Sequence, residues 1–172
     1  MQNHLKDILK ELTERKVQFV VCGGVAVVLH GVERMTLDLD LVVDMTRENL
    51  QRLIDAMRAL SLTPRVPVPP ESLLDETSRR KMREDKGALV FTFQDVNKPF
   101  RQVDIFLVDD PSYQTLSKDA QIVDVNGFCV NIASPSKLIE MKRKVNPMRE
   151  KDIHDVNFLI KKIEREDEAG RI

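Results

Sequence analysis

A glycine pair followed by an acidic strand constrains this sequence more than any other feature. The apolar run 17–22 ends at Gly23 and Gly24, and after a short helix-like segment Asp38 and Asp40 alternate with leucines. Alternate side chains of a strand share one face, with Cα atoms about 6 to 7 Å apart. Two carboxylates at that spacing can converge on a hard divalent cation, and without one they repel each other. The pattern therefore predicts a metal site on the polar face of a strand.

The composition indicates an ordinary globular chain. Its length of 172 residues predicts one domain, 1–172, with a helical C-terminal portion at about 134–166. The formal net charge of -1 excludes a global attraction to nucleic acid or membranes, so any such binding needs a local patch. We expect no membrane partner, because no apolar run is long enough to cross a bilayer. Cys22 and Cys129 lie in strand-like runs and are predicted to be buried thiols, with the cytoplasm as the expected compartment.

Hydrophobic spacing predicts a chain of alternating helices and strands. The predicted helices lie at about 3–15, 25–30, 47–60, 73–86, 134–145 and 148–164. The predicted strands lie at about 17–22, 37–43, 87–93, 103–108, 122–125 and 128–132. Asn126-Gly127 between the last two runs is typical of a two-residue hairpin turn. The basic run 78–86 is interpreted as a solvated helix face, with steering of a nucleotide or RNA as the alternative.

Three further residues near the acidic strand are candidates for the same site. Asp104 lies inside an apolar strand, which is costly unless the carboxylate is paired or binds a metal ion. Arg34 can position a phosphate or pair with a nearby acid, and both alternatives stay open. Thr36 is predicted to begin the strand or to hydrogen-bond the preceding loop. The glycine pair either brings backbone amides close to a phosphate or only permits a tight turn.

These motifs resemble the nucleotidyltransferase superfamily, which includes DNA polymerase beta, poly(A) polymerases and antibiotic nucleotidyltransferases. The likeness is greatest to a minimal bacterial branch that contains AbiEii-type abortive-infection toxins. The positions that match this branch are Gly23, Gly24, Gly31, Arg34, Thr36, Asp38 and Asp40. The segments 136–142 and 149–155 also resemble its helical lysine and its final Arg/Lys-Asp-x-x-Asp motif.

The resemblance implies a fold and a set of site residues. The fold is α/β (α+β): a small mixed sheet of four to five strands, with helices packed against it and a helical C-terminus. The implied catalytic and metal-binding residues are Asp38, Asp40 and Asp104, which would hold two Mg²⁺ ions. The implied nucleotide-binding residues are Gly23, Gly24, Arg34, Thr36, Lys142 and Lys151, with Lys137 as an alternative lysine. Lys151, Asp152 and Asp155 could instead form only helix-surface pairs.

The implied activity is transfer of a nucleoside monophosphate from an NTP to a hydroxyl group. The toxin-like branch suggests tRNA, other RNA or a protein side chain as acceptor, and a cognate antitoxin as partner. Two alternatives stay open at this point. One is a non-catalytic nucleotide- or protein-binding module of the same fold, and the other is a small-molecule transferase of the antibiotic-resistance type.

Overall fold

The computed structural model describes residues 3–169, which form one mixed sheet with helices packed against it. The strands are β1 (Phe19–Val21), β2 (Asp38–Val43), β3 (Thr63–Pro64), β4 (Val90–Gln94), β5 (Gln102–Phe106), β6 (Gln121–Asp124) and β7 (Cys129–Ile132). The helices are α1 (Asn3–Glu14), α2 (Gly23–Leu29), α3 (Arg47–Ala59), α4 (Glu76–Lys86), α5 (Tyr113–Lys118), α6 (Pro135–Arg143) and α7 (Glu150–Ala169). A short 3-10 helix, Pro70–Leu74, precedes α4. The α/β class predicted from the sequence is confirmed.

The sheet places the two acidic strands side by side at its centre. The strand order is β3-β4-β5-β2-β1-β7-β6. Strand β2 runs parallel to β5 and antiparallel to β1. In the parallel pair Asp40 lies opposite Asp104, and Asp38 lies opposite Gln102. Cross-strand neighbours point to the same face, so all three carboxylates project from one face of the sheet.

The opposite face of the same strands is the hydrophobic core. Leu39, Leu41, Val103 and Ile105 alternate with the acidic positions and are fully buried. Helices α1 and α3 contact each other and contribute further buried apolar side chains to this core. A one-residue slip of β2 would place its leucines on the polar face and its aspartates in the core. The core therefore fixes the face on which the carboxylates lie.

Several predicted elements differ from those observed. Within residues 3–169 the sheet has seven strands, where four to five were expected. The short helix α5 was not predicted, because its six residues carry only one buried apolar side chain, Leu116. The single helix predicted over 73–86 is two elements, since Asp75 caps α4 by accepting a hydrogen bond from the Ser78 amide. Helix α7 continues to Ala169, beyond the predicted end at about 164.

Two further findings concern the solvent exposure of the two cysteines and the length and polarity of the helices. Cys22 is buried as expected, but the prediction for Cys129 is wrong, because its thiol is exposed at the start of β7. Residues of β7 alternate in facing, so Val130 is buried and the cysteine falls on the outward side. None of the helices in residues 3–169 combines the length and apolar character needed to span a bilayer.

Candidate active site

The three predicted carboxylates line one open cavity of about 290 Å³. Asp38 is exposed at the first position of β2, whereas Asp40 and Asp104 are partly buried. The cavity is lined by Gly23, Gly24, Arg34, Thr36, Asp38, Asp40, Asp104, Phe106, Leu138, Met141, Lys142, Val145, Arg149, Lys151 and Asp152. The structure thus brings the acidic strands, the glycine pair and both C-terminal helices together at one site.

Asp40 is the electrostatic centre of the cavity. Burial, followed by repulsion from Asp104 and Asp38, raises the pKa of Asp40 from 3.8 to about 6. A hydrogen bond from the Gly24 amide and the charge of Lys142 oppose this rise without cancelling it. Because Asp40 is hard to ionise beside two other carboxylates, a bound cation would stabilise its charged form.

Asp104 is held in place by neighbours on its own sheet. The Thr92 hydroxyl donates to Asp104 Oδ1 at 2.7 Å, and Gln102 Nε2 lies 3.2 and 3.1 Å from the two carboxylate oxygens. Within residues 3–169 no three His, Cys, Asp or Glu side chains already surround one point as metal ligands. The donor set still fits Mg²⁺, because the cavity offers carboxylate oxygens and no histidine or cysteine. A carboxylate has about four lone-pair sites, so Asp104 can keep the Thr92 hydrogen bond and still bind a cation.

The glycine pair makes room for the side chains of the site itself. Gly23 has a φ of +57°, and a β-carbon built on it would overlap the Asp40 carboxylate. A β-carbon on Gly24 would overlap the Arg34 guanidinium and the Thr36 side chain. The amide of Gly24 already donates to Asp40. The glycines therefore allow three functional side chains to approach the backbone, and their predicted contact with a phosphate stays a prediction.

Helices α6 and α7 present a largely buried group of charges to the cavity, here called the α6–α7 ion cluster. Lys142 Nζ lies 2.7 Å from Asp152 Oδ1 and 2.8 Å from Asp155 Oδ2. Arg149 Nε lies 2.6 Å from Asp152 Oδ2, and Arg34 Nε lies 3.4 Å from Asp155 Oδ1. Although burial acts in the opposite direction, hydrogen bonds from Arg149 and Lys142 lower the pKa of Asp152. The cluster joins the final helix to the loop before β2.

Asp155 is the least solvated member of this cluster. Its side chain is fully buried, and neither carboxylate oxygen receives a hydrogen bond of good geometry. It is held by charge alone, from Lys142 and Arg34. The alternative that Asp152 and Asp155 form helix-surface pairs is wrong, since both are buried against partners outside their own helix. For Arg34, the structure shows the ion pair while leaving the guanidinium on the cavity wall.

The three candidate lysines occupy different positions. Lys142 is buried in the ion cluster, whereas Lys151 is exposed on the cavity rim. Lys137 pairs with Glu140 at 3.0 Å and does not line the cavity. Thr92 and Arg149 were not predicted from the sequence. A signal for Arg149 existed in its spacing of three residues from Asp152, but nothing local connected Thr92 with Asp104.

Comparison with solved structures defines the class of fold. The chain is similar to the lincomycin-bound lincosamide antibiotic adenylyltransferase LnuA, with a TM-score of 0.62, 16% identity, and coverage of 92% of this chain and 96% of the other. It is also similar to the antibiotic-resistance factor ANT(2'')-Ia, with a TM-score of 0.59, 16% identity, and coverage of 98% and 89%. An antigenic nucleotidyltransferase-like protein from Paracoccidioides brasiliensis gives a TM-score of 0.50 at 16% identity, with coverage of 91% and 72%. The fold is that of the nucleotidyltransferases.

The family follows from the sequence over almost its whole length. Residues 7–171 match the family described as nucleotidyl transferase AbiEii toxin, type IV TA system. The chain therefore belongs to the AbiEii nucleotidyltransferase family and is an enzyme of the nucleotidyltransferase class. Comparison with curated protein sequences gives no significant match.

Proposed function

We propose that this enzyme uses Mg²⁺ to transfer a nucleoside monophosphate from an NTP to a hydroxyl group of RNA or protein. One observation carries the proposal. Asp40 and Asp104 stand in register on neighbouring parallel strands, beside Asp38, and face a cavity whose other wall holds Lys142 and Arg149. Carboxylates on one side and cations on the other suit a metal-bound triphosphate.

The three carboxylates have different proposed roles. Asp38, Asp40 and Asp104 would hold two Mg²⁺ ions. When bound, these ions would shield the leaving pyrophosphate and lower the pKa of the acceptor hydroxyl. Asp104 would take the proton of that hydroxyl, and Thr92 Oγ1 orients its carboxylate for the transfer. Asp40 lies deepest and would anchor the site, because its desolvated charge gains most from a cation.

The cationic groups around the cavity would bind the phosphates. Lys151 is exposed on the rim and forms no ion pair with the described residues, so its charge is available. Arg34 and Lys142 would approach the triphosphate from positions fixed by Asp155. Thr36, with the amides near Gly23 and Gly24, would donate hydrogen bonds at the start of α2. The ion cluster thereby holds cations at the site before the substrate arrives.

The biological setting is proposed from the family. A type IV toxin–antitoxin context implies a cognate antitoxin, and tRNA, other RNA or a protein side chain as acceptor. We place the reaction in the cytoplasm. The exposed free thiol of Cys129 supports this setting, because exposed unpaired thiols suit a reducing compartment.

A small-molecule acceptor is the second candidate, and a second cavity favours it. This cavity, of about 530 Å³, is lined mainly by apolar side chains of the 65–68 loop, the end of α4 and β4. Its volume is within the range of small-molecule sites. Thr92 lines it and also bonds Asp104, so a ligand there would lie beside the proposed base. The similar lincosamide adenylyltransferase acts on an antibiotic by its name.

The decisive experiment is label transfer from each α-labelled NTP, with Mg²⁺, into separate pools of total RNA, cell protein and aminoglycosides or lincosamides. The Asp38→Asn/Asp40→Asn variant serves as the inactive control. Asp119→Asn, which changes an exposed carboxylate at the end of α5, serves as the matched active control. Label in RNA or protein supports the proposal, and label only in the antibiotics supports the second candidate.

A negative result is also informative. Mg²⁺-dependent NTP binding without label in any pool would favour a non-catalytic nucleotide-binding module. Transfer that persists at full rate in the double variant would refute the metal assignment.

A further inference from the structure

One wall of the cavity is apolar and has no role in the chemistry above. It consists of Phe106 at the end of β5, Leu138 and Met141 on α6, and Val145 after α6, and is called here the apolar wall. Phe106 follows Asp104 on the same face of β5, because residues two apart in a strand point the same way. The apolar wall therefore adjoins the carboxylates directly. Val145 is 40% exposed, so the wall extends to the cavity mouth.

The polar parts of the cavity are already assigned to phosphates and metal ions. The carboxylates lie on β2 and β5, and the cations lie on α7, on the loop before β2 and at Lys142. A nucleotide whose phosphates occupy that region must place its sugar and base against what remains. The apolar side chains among the residues that line the cavity are those of the apolar wall.

The apolar wall offers few groups that could form hydrogen bonds with the edge of a base. Its side chains carry no hydrogen-bond donor, and its single acceptor is the weak thioether sulfur of Met141. Its nearest backbone donors are also engaged, since the Leu138 amide donates to Ser134 O at 3.0 Å and the Val145 amide to Lys142 O at 3.2 Å. Contact through an aromatic ring and aliphatic groups accepts any of the bases, because every base has a π-face. Large discrimination would need buried polar groups that the wrong base leaves unpaired.

We propose that the apolar wall is the nucleobase subsite, and that it accepts purine and pyrimidine triphosphates with affinities within about tenfold of each other. This inference rests on the proposed function, because it assumes that the triphosphate occupies the polar side of the same cavity. It adds to that function a base-tolerant substrate class and names the residues responsible.

The test measures binding and not turnover. Dissociation constants are determined, with Mg²⁺, for the α,β-methylene analogues of ATP, GTP, CTP and UTP and for inorganic tripolyphosphate. We expect the four analogues to agree within about tenfold. We expect Val145→Ala and Met141→Ala each to weaken all four by about three- to tenfold while leaving tripolyphosphate binding unchanged. Met45→Ala changes a partly buried methionine after β2 that lines neither this cavity nor the second one; it is the matched control and should change neither affinity.

The outcomes separate this inference from the proposed function. If tripolyphosphate binds in a Mg²⁺-dependent way that Asp40→Asn abolishes, the polar side is as proposed. In that case a preference above tenfold for one base, or equal nucleotide affinity in wild type and both wall variants, would overturn the apolar wall as the base subsite. If tripolyphosphate does not bind, the proposed function itself fails. Val145→Ala keeps the test valid if Met141→Ala does not fold, because Val145 is partly exposed.

Discussion

The carboxylate of Asp40 packs directly against the backbone of Gly23, where no β-carbon can be accommodated. This contact joins the turn after β1 to the acidic strand β2. Gly23 also has a left-handed backbone at a φ of +57°, so a side chain there would be strained even in open space. The Asp40 carboxylate is therefore placed by a residue that has no side chain.

We expect Gly23→Ala to abolish transfer. The new methyl group must displace the Asp40 carboxylate, and the left-handed backbone adds about 1–2 kcal/mol of strain. A misplacement of about 1 Å at reacting groups can cost about 100-fold in rate. The measurement is the initial rate of label transfer together with the free energy of unfolding.

Gly87→Ala is the control that separates strain from collision. Gly87 has nearly the same φ, +60°, at the end of α4, but nothing lies within 4 Å of a β-carbon built there. It should lose stability by a similar strain while keeping most of its activity. Equal loss of activity in both variants would show that the Asp40–Gly23 contact has no specific role.

The sequence predicted the acidic face because that prediction depended only on local geometry. Alternation of Leu39 and Leu41 with Asp38 and Asp40 is a property of any strand, and the structure shows it. The spacing could not reveal that Asp40 would fill the space above Gly23. That contact depends on the antiparallel register of β1 and β2, which a single sequence does not state.

The ion cluster could not be predicted from the sequence for the same physical reason. Asp152 and Asp155 have a spacing that suits pairs on a helix surface, and Lys142 lies on a different helix. Their burial depends on the angle at which α7 packs on α6, and no local pattern encodes that angle. Helix α7 was also predicted too short, because its last turns are charged; there Lys162 and Glu166 pair at 3.0 Å.

The raised pKa of Asp40 predicts a stability that falls with pH. Because the folded-state pKa is about 6 and the ordinary value is 3.8, the folded chain binds more protons between these two pH values. In metal-free buffer the contribution of Asp40 to the free energy of unfolding should therefore decrease from about pH 4 to about pH 6. This difference corresponds to about 3 kcal/mol, and it should remain lost above that range.

Asp40→Asn tests this effect directly, because it removes the charge and keeps the shape. At pH 7.5, without metal, the variant should be about 1–3 kcal/mol more stable than the wild type while being inactive. Urea unfolding of both proteins at pH 4.5 and 7.5 gives the comparison. A variant that is less stable at pH 7.5 would contradict the assignment of Asp40 as an electrostatically strained group.

Asp155→Asn should destabilise the fold and impair the site. The change leaves Lys142 with one carboxylate partner and Arg34 without its buried counter-charge. Breaking a buried ion pair costs about 3–5 kcal/mol. We also expect weaker NTP binding, since Arg34 and Lys142 lose the group that positions them. Chemical unfolding and a nucleotide titration measure the two effects.

An exposed ion pair on the same chain is the reference for this result. Lys144 Nζ lies 2.7 Å from Asp110 Oδ2, but both side chains are about half exposed or more. Asp110→Asn should therefore cost no more than about 1 kcal/mol and leave binding unchanged. If the two variants lose equal amounts of stability and of NTP affinity, burial of the ion cluster contributes to neither.

Magnesium should stabilise the folded enzyme through its carboxylates before any nucleotide is added. A ligand that binds only the folded state at about 100 times its dissociation constant adds about 2.7 kcal/mol of stability. We therefore expect a Mg²⁺-dependent rise in melting temperature at pH 7.5 for the wild type and for Asp119→Asn. The rise should be absent from Asp38→Asn/Asp40→Asn, because two of the three proposed ligands have lost their charge. An equal rise in the double variant would place the ion elsewhere and would remove Asp38 and Asp40 from the proposed metal site.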